Sequence, residues 1–108
     1  MSRWNSKGQP MGGVSLHAQK RLINNPNHGF IGSRGEARVC LQGLKQVARK
    51  KGYEDGFVTV EELGEEVLST MGRYWREEGY LKKLILVMEN GGVKTVMLQR
   101  ELLHKYYV

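Results

Sequence analysis

The stretch Tyr80-Leu81-Lys82-Lys83-Leu84-Ile85-Leu86-Val87-Met88-Glu89-Asn90-Gly91-Gly92-Val93-Lys94-Thr95-Val96-Met97-Leu98-Gln99 decides the fold. Its arms, Tyr80 to Met88 and Val93 to Gln99, are rich in β-branched and apolar residues. Between them Glu89-Asn90-Gly91-Gly92 supplies residues that accept the positive φ angles of a tight turn, so the spacing predicts a β-hairpin. Just upstream, Ser69 or Thr70 is placed to cap a helix running to about Glu78, with Gly79 ending it. On that helix Met71, Tyr74 and Trp75 would group on one side and Gly72, Arg73, Arg76 and Glu77 on the other.

Further toward the N-terminus, Thr59-Val60-Glu61-Glu62 has the pattern of a capping box. It would open a helix over 60–68 that turns Val60, Leu63 and Val67 inward and Glu61, Glu62, Glu65 and Glu66 outward. Gly56-Phe57-Val58 reads as a short extended segment. The clearest helix runs from Glu36 to about Lys51, where Ala37, Cys40, Leu41, Leu44, Val47 and Ala48 fall within an arc of about 120°. Arg38, Lys45 and Arg49 cluster away from that stripe as a basic ridge, and Gly52 stops the helix. Trp75, Met71, Leu44 and Leu63 are expected to share one core. Beyond the hairpin, Leu102, Leu103, Tyr106 and Tyr107 lie at near-helical spacing, so Arg100 to Val108 can form a short closing helix. The fold class is α+β, with three helices, a C-terminal β-hairpin and that closing helix.

The first 35 residues differ in character. Gly8, Pro10, Gly12 and Gly13 stand among polar residues, which predicts disorder over 1–13. Ser15 to Ile23 can form a short helix, stable only if it docks. Asn24-Asn25-Pro26-Asn27-His28-Gly29 breaks it, and Gly32-Ser33-Arg34-Gly35 reads as a loop. A domain over 36–108 behind an arm over 1–35 is the expected organisation.

Charge divides at the same place. The 108-residue chain carries a net charge of +6. Residues 1–35 hold Arg3, Lys7, Lys20, Arg21 and Arg34 and no Asp or Glu, whereas the remainder is nearly neutral. A cationic arm favours an anionic partner, nucleic acid first and an acidic protein second. Trp4, beside Arg3 and Lys7, is suited to stacking on a base or filling a partner's pocket.

Over Glu36–Gln99 the order helix, short strand, helix, turn, helix, hairpin resembles the winged helix-turn-helix family of nucleic-acid-binding domains. The local likeness is strongest at Tyr74-Trp75-Arg76-Glu77-Glu78-Gly79-Tyr80-Leu81. The resemblance implies that the helix over 70–78 is a recognition helix, with Arg73 and Arg76 facing a major groove and Thr70 near the helix N-terminus. Arginine suits that task because its planar fork can donate two hydrogen bonds to a guanine edge. It further implies that Lys82, Lys83 and Lys94 meet phosphates and that Asn90-Gly91-Gly92 is the wing tip. Arg38, Lys45, Arg49, Arg34, Lys20 and Arg21 would add charge that carries no sequence information. Duplex DNA is the expected partner, in a regulatory or accessory role.

Two alternatives follow from other residues. Glu61, Glu62, Glu65 and Glu66 would repel phosphates, so either that face turns away from nucleic acid or the chain is an adaptor that binds a protein through it or through its aromatic C-terminus. Phe30-Ile31-Gly32-Ser33-Arg34-Gly35-Glu36-Ala37-Arg38-Val39 also resembles the GxxG loop of the KH family, which implies an RNA or single-strand binder.

Other chemistries find little support. His17, His28, Cys40 and His104 show no CxxC or HxxxH pairing, so no metal site is expected, and no cofactor. Cys40 sits on the apolar stripe, where a small thiol needs no special role. The glutamates lie on a face predicted to be exposed, which does not suit acid–base catalysis. No nucleophile elbow or phosphate-cradling loop is present, so catalysis is not expected. With one cysteine, no leader-like segment and no long apolar run, an intracellular, cytoplasmic setting without membrane contact is expected.

Overall fold

The computed structural model describes residues 13–25 and 29–100. Ser33 opens its longest helix. The Ser33 hydroxyl accepts the Glu36 N–H while the Glu36 carboxylate accepts the Ser33 N–H, a complete capping box. Gly32-Ser33-Arg34-Gly35 is therefore a cap and first turn with no helix at residues 29–32 before it, unlike the loop joining two helices that the KH likeness implied. Helix α2 follows over Arg34–Lys50 and buries Ala37, Cys40, Leu41, Leu44 and Ala48, the stripe read from the sequence, with Val47 partly buried beside it. Ser33→Ala is expected to cost about 1 kcal/mol, because one cap hydrogen bond is lost from a long helix. Urea denaturation checks it, and an unchanged midpoint would count against the cap.

Helix α1, Leu16–Asn24, is capped by Ser15, whose hydroxyl accepts the Ala18 N–H at 2.9 Å. Alone it would be too short to persist. It is held because it buries Ala18 and Leu22 in the same core as α2. The packing therefore runs across the expected boundary at residue 35, and the segment from Gly13 onward belongs to the folded unit. The expected disorder of residues 1–13 falls, Gly13 apart, outside the described residues, as do Arg3, Trp4, Lys7 and His28.

Three strands make one antiparallel sheet in the order β1 (Gly56–Thr59), β2 (Leu84–Glu89), β3 (Gly92–Leu98). Asn90 and Gly91 form the hairpin turn with φ of 53° and 76°. Leu84 pairs with Leu98 and Leu86 with Val96, and the register slips by one residue so that Met88 pairs with Val93. That bulge leaves Lys94 outside the pairing. It keeps Val93 on the core face while Lys94 reaches solvent and forms an ion pair with Glu89 at 3.3 Å. The outer edge of β3 does not face water bare. Val93 N–H donates to Gly13 O and Ser15 N–H to Val93 O, while the Ser15 hydroxyl donates to Lys94 O and Arg21 Nε to Val96 O.

The region between β1 and β2 departs most from expectation. Val60–Leu63 is a 3-10 turn, with the Thr59 hydroxyl accepting the Glu62 N–H as the sequence indicates. Gly64, at φ 102°, interrupts the helix expected over 60–68, and α3 runs instead over Glu65–Met71. Val60, Leu63 and Val67 are buried as expected. The helix expected over 70–78 does not form. Gly72–Tyr74 is a single 3-10 turn, and Trp75 is extended, bridging Phe30 across a short antiparallel contact. Ile31 N–H donates to Tyr74 O and Arg76 N–H to Gly29 O across it. Trp75 is buried by this pairing, against Phe30 edge-on at 5.5 Å, so one large side chain gains its burial by leaving the helix. Helix α4 then occupies Glu78–Lys82, where the sequence predicted the start of a strand, and it buries Leu81. The architecture is α+β, and among the described residues it has four helices: α1 to α3 stand where helices were expected over 15–23, 36–51 and 60–68, α4 stands where none was, and the closing helix expected over 100–108 falls, Arg100 apart, outside the described residues.

Candidate nucleic-acid interface

Helix α2 gathers the basic residues more closely than the sequence reading did. At about 100° per residue, Arg34, Lys45, Arg38 and Arg49 fall within an arc of about 60°, and no carboxylate shares it. Arg34, Arg38 and Arg49 are exposed and Lys45 is partly buried. From Arg34 to Arg49 the line is about 22 Å long at the helical rise. Partial burial first, and the Arg49 charge one turn on second, hold the Lys45 ammonium below its ordinary pKa. Lys45 and Arg49 thus stand close enough for like-charge repulsion, which a bound anion would relieve. At its C-terminal end Arg49 lies against the hairpin turn, its Nε 3.2 Å from where a Gly91 side chain would begin.

Helix α1, packed on α2, adds exposed Lys20. Together with His17, Asn24 and Asn25, Lys20 and Arg21 line a shallow depression of about 440 Å³. Arg21 also reaches a β3 carbonyl, so its guanidinium has a structural task beside any other.

The four glutamates lie elsewhere. All are exposed. A Cβ at Gly43 would stand 2.5 Å from the Met71 methyl, which fixes α3 on the flank of α2 that carries Gly43 and Val47. That flank is roughly 150° round the helix from the basic ridge. Glu65 and Glu66 line a groove of about 400 Å³ there, with Lys50 and Lys51 opposite and Val47, Leu63, Val67 and Met71 as its floor. Glu65 and Glu66 therefore neither neutralise the ridge nor obstruct it.

The residues assigned to a recognition helix are scattered. Thr70 lies in the last turn of α3, its hydroxyl donating to Glu66 O, and caps nothing. Arg73 sits on the 3-10 turn, donates to the Tyr74 hydroxyl at 2.9 Å and stacks on that ring at 4.9 Å. Arg76 lies beyond the extended Trp75, exposed, so Arg73 and Arg76 do not share a helical face. Lys82 ends α4, and Lys83 lines a depression of about 230 Å³ with Glu77, Tyr80 and Arg100. Lys94 has its Glu89 partner, and the turn is tied down: Asn90 N–H donates to Asp55 Oδ1 at 3.0 Å and Gly91 N–H to Glu54 O at 2.9 Å. Gly91 and Gly92 are buried, so the turn is packed rather than projecting as a wing tip.

The sequence reading missed a second feature beside the N-terminus of α2. Ile31 and Val39 are large apolar side chains left 56% and 59% exposed. Val39 falls outside the stripe of α2 and is legible in the helical phase. Ile31 lies outside any helix, its N–H bound to Tyr74 O, so helical periodicity says nothing of its exposure.

Cys40 is fully buried, and burial pushes its thiol up to about 12, against a smaller opposing pull from the Arg73 charge. The thiol stays protonated in the folded state where an unfolded one would ionise above pH 9. Stability is therefore expected to fall as pH rises from about 9 toward 12. A thiol reagent at pH 8 should leave Cys40 unmodified in the folded protein and modify it fully in urea. Rapid labelling without denaturant would contradict its burial.

Among the described residues no helix is long and apolar enough to cross a membrane, and no three His, Cys, Asp or Glu side chains come together as a metal ion would need. No protein-family model, curated protein or solved structure matches the chain.

Proposed function

We propose that the protein binds nucleic acid through its phosphate backbone, along the ridge of Arg34, Arg38, Lys45 and Arg49 on α2. The observation that carries this reading is the line of three exposed arginines and the partly buried Lys45 on α2, with no carboxylate of the helix in its arc. Lys20, exposed on α1, and the basic residues Arg3 and Lys7 in the sequence before it add positive charge that favours the same partner. A straight, rigid row of charges suits the regular row of phosphates on a duplex, so duplex DNA is placed ahead of RNA and single strands. Contacts of this kind position the protein without reading bases, which fits a regulatory or accessory role rather than recognition of one sequence. Arg73 and Arg76, separated as they are, are not assigned a shared base-reading task.

Titration of the full chain against duplex DNA, single-stranded DNA and RNA at 50 and 200 mM salt tests the proposal. Binding to the duplex that weakens steeply with salt is the expected result. Binding to none of the three, or duplex binding indifferent to salt, would overturn it. The contribution of the arm is measured by removing residues 1–12 only, because a longer deletion takes away Ala18 and Leu22 of the core.

A further inference from the structure

The groove between the end of α2 and α3 is built unlike the ridge. Leu63 and Val67, both buried, close its bottom, and half-buried Val47 and Met71 complete its apolar surface. One wall carries Lys50 and Lys51 at the end of α2, and the other carries Glu65 and Glu66 in the first turn of α3. All four are exposed. Lys51 leans toward the acidic side, its ammonium 3.9 Å from where a side chain on Gly64 would begin. Even so, among the described residues no ion pair joins the two walls. Each pair of charges suits the helix end on which it stands. That accounts for the residue types, but not for an open apolar floor between two walls of opposite sign.

We propose that this groove is the docking site for an amphipathic helix of a partner protein, whose apolar stripe is flanked by basic residues on one side and acidic residues on the other. A helix laid in the groove sets its stripe on Val47 and Met71 while its cations face Glu65 and Glu66 and its carboxylates face Lys50 and Lys51. The two walls are what select this occupant. A helix flanked by one sign of charge is attracted by one wall and repelled by the other, and a nucleic acid meets the glutamates with phosphates. Dimensions agree. From Val47 to Lys51 α2 advances about 6 Å, and from Glu65 to Met71 α3 advances about 9 Å, so the contact extends over about two turns of a partner helix. That is room for two apolar side chains one turn apart. Because the ridge lies roughly 150° round α2 from this flank, the helix can hold a partner here with its basic side still open.

The test is methyl NMR on the full chain, titrated to millimolar concentration with three stapled helical peptides that share one leucine stripe. The first carries lysines along one flank and glutamates along the other, the second lysines on both flanks, the third glutamates on both. The Val67 and Met71 methyl signals should move with the first peptide. Its affinity should exceed that of the other two by roughly tenfold, as one wall turns from attraction to repulsion. In Glu65→Gln/Glu66→Gln protein the first and third peptides should bind alike, and in Glu65→Lys/Glu66→Lys protein the third should bind tightest. Val67 and Met71 signals that no peptide moves would overturn the proposal. So would equal affinity for all three in the unaltered protein, which would show apolar adhesion without selection by charge. Movement of the same signals on concentrating the protein alone would assign the groove to a second copy and overturn it too. The readout contains no nucleic acid and leaves the ridge unaltered, so it is independent of nucleic-acid binding.

Discussion

Trp75→Ala is expected to destabilise the protein by about 3–5 kcal/mol, the usual cost of emptying a buried tryptophan site. A domain of this size is stable by about 5–10 kcal/mol, so the variant should lose roughly half of its stability and unfold at a much lower urea concentration. The loss has two sources. The ring fills the core between Phe30 and the helices, 5% exposed and edge-on to Phe30. Its extended backbone also carries the bridge that ties residues 29–31 to residues 74–76, and with it the lead-in to α2. Trp75→Phe should cost much less. The indole N–H is buried without an acceptor, and phenylalanine removes that unsatisfied donor while retaining most of the ring. Urea denaturation followed by circular dichroism reads both. Equal midpoints for wild type and Trp75→Ala would show that Trp75 is not part of the core.

The burial of Trp75 was legible in the sequence, and the conformation that achieves it was not. Spacing places Met71, Tyr74 and Trp75 on one helical side, and the inward direction is right for Trp75, Leu44 and Leu63, with Met71 packed partly buried against the same core. The backbone departs from a helix because Gly72 and Gly79 weaken it at both ends and because Phe30, distant in sequence, offers Trp75 a pairing partner. A local window cannot see that partner. Gly64 misleads in the same way: a glycine inside a helical pattern is often tolerated, but here its φ of 102° restarts the helix one residue later.

Where periodicity is long, it reads true. Arg34–Lys50 buries the stripe that its spacing indicates, and the capping box at Ser33 and Glu36 is written in the S-x-x-E pattern, although the glycines on either side give the same residues the composition of a loop. The hairpin turn at Asn90 and Gly91 follows from its residue types. The bulge at Lys94 does not, since it answers to Gly13 and Ser15 binding the β3 edge. The candidate site divides likewise. Its cations on α2 were named from the sequence. Their freedom from Glu65 and Glu66 depends on α3 packing over Gly43, which only the tertiary structure supplies.

The second large effect is expected at the ridge. Arg38, Lys45 and Arg49 project away from the core stripe, so replacing all three should leave the fold in place. Arg38→Glu, Lys45→Glu and Arg49→Glu together should abolish measurable duplex binding at physiological salt, because three attractions become three repulsions along one line. Replacing Glu61, Glu62, Glu65 and Glu66 with alanine should leave DNA affinity intact or slightly raised, because removing carboxylates removes repulsion from phosphates and Glu65 and Glu66 lie on the far side of α2. Loss of DNA binding in the glutamate variant with an unaffected ridge variant would transfer the functional surface to the acidic groove.

The most direct measurement is the salt dependence of duplex binding in the milder variant Arg38→Ala/Lys45→Ala/Arg49→Ala. Each phosphate contact contributes about 0.9 to the slope of log affinity against log salt concentration, so losing three contacts should flatten the slope by about 2.7. The decrease should be the same on unrelated duplex sequences, since phosphates carry no base code. A correctly folded triple variant whose slope equals that of the wild type would show that the ridge on α2 does not touch nucleic acid.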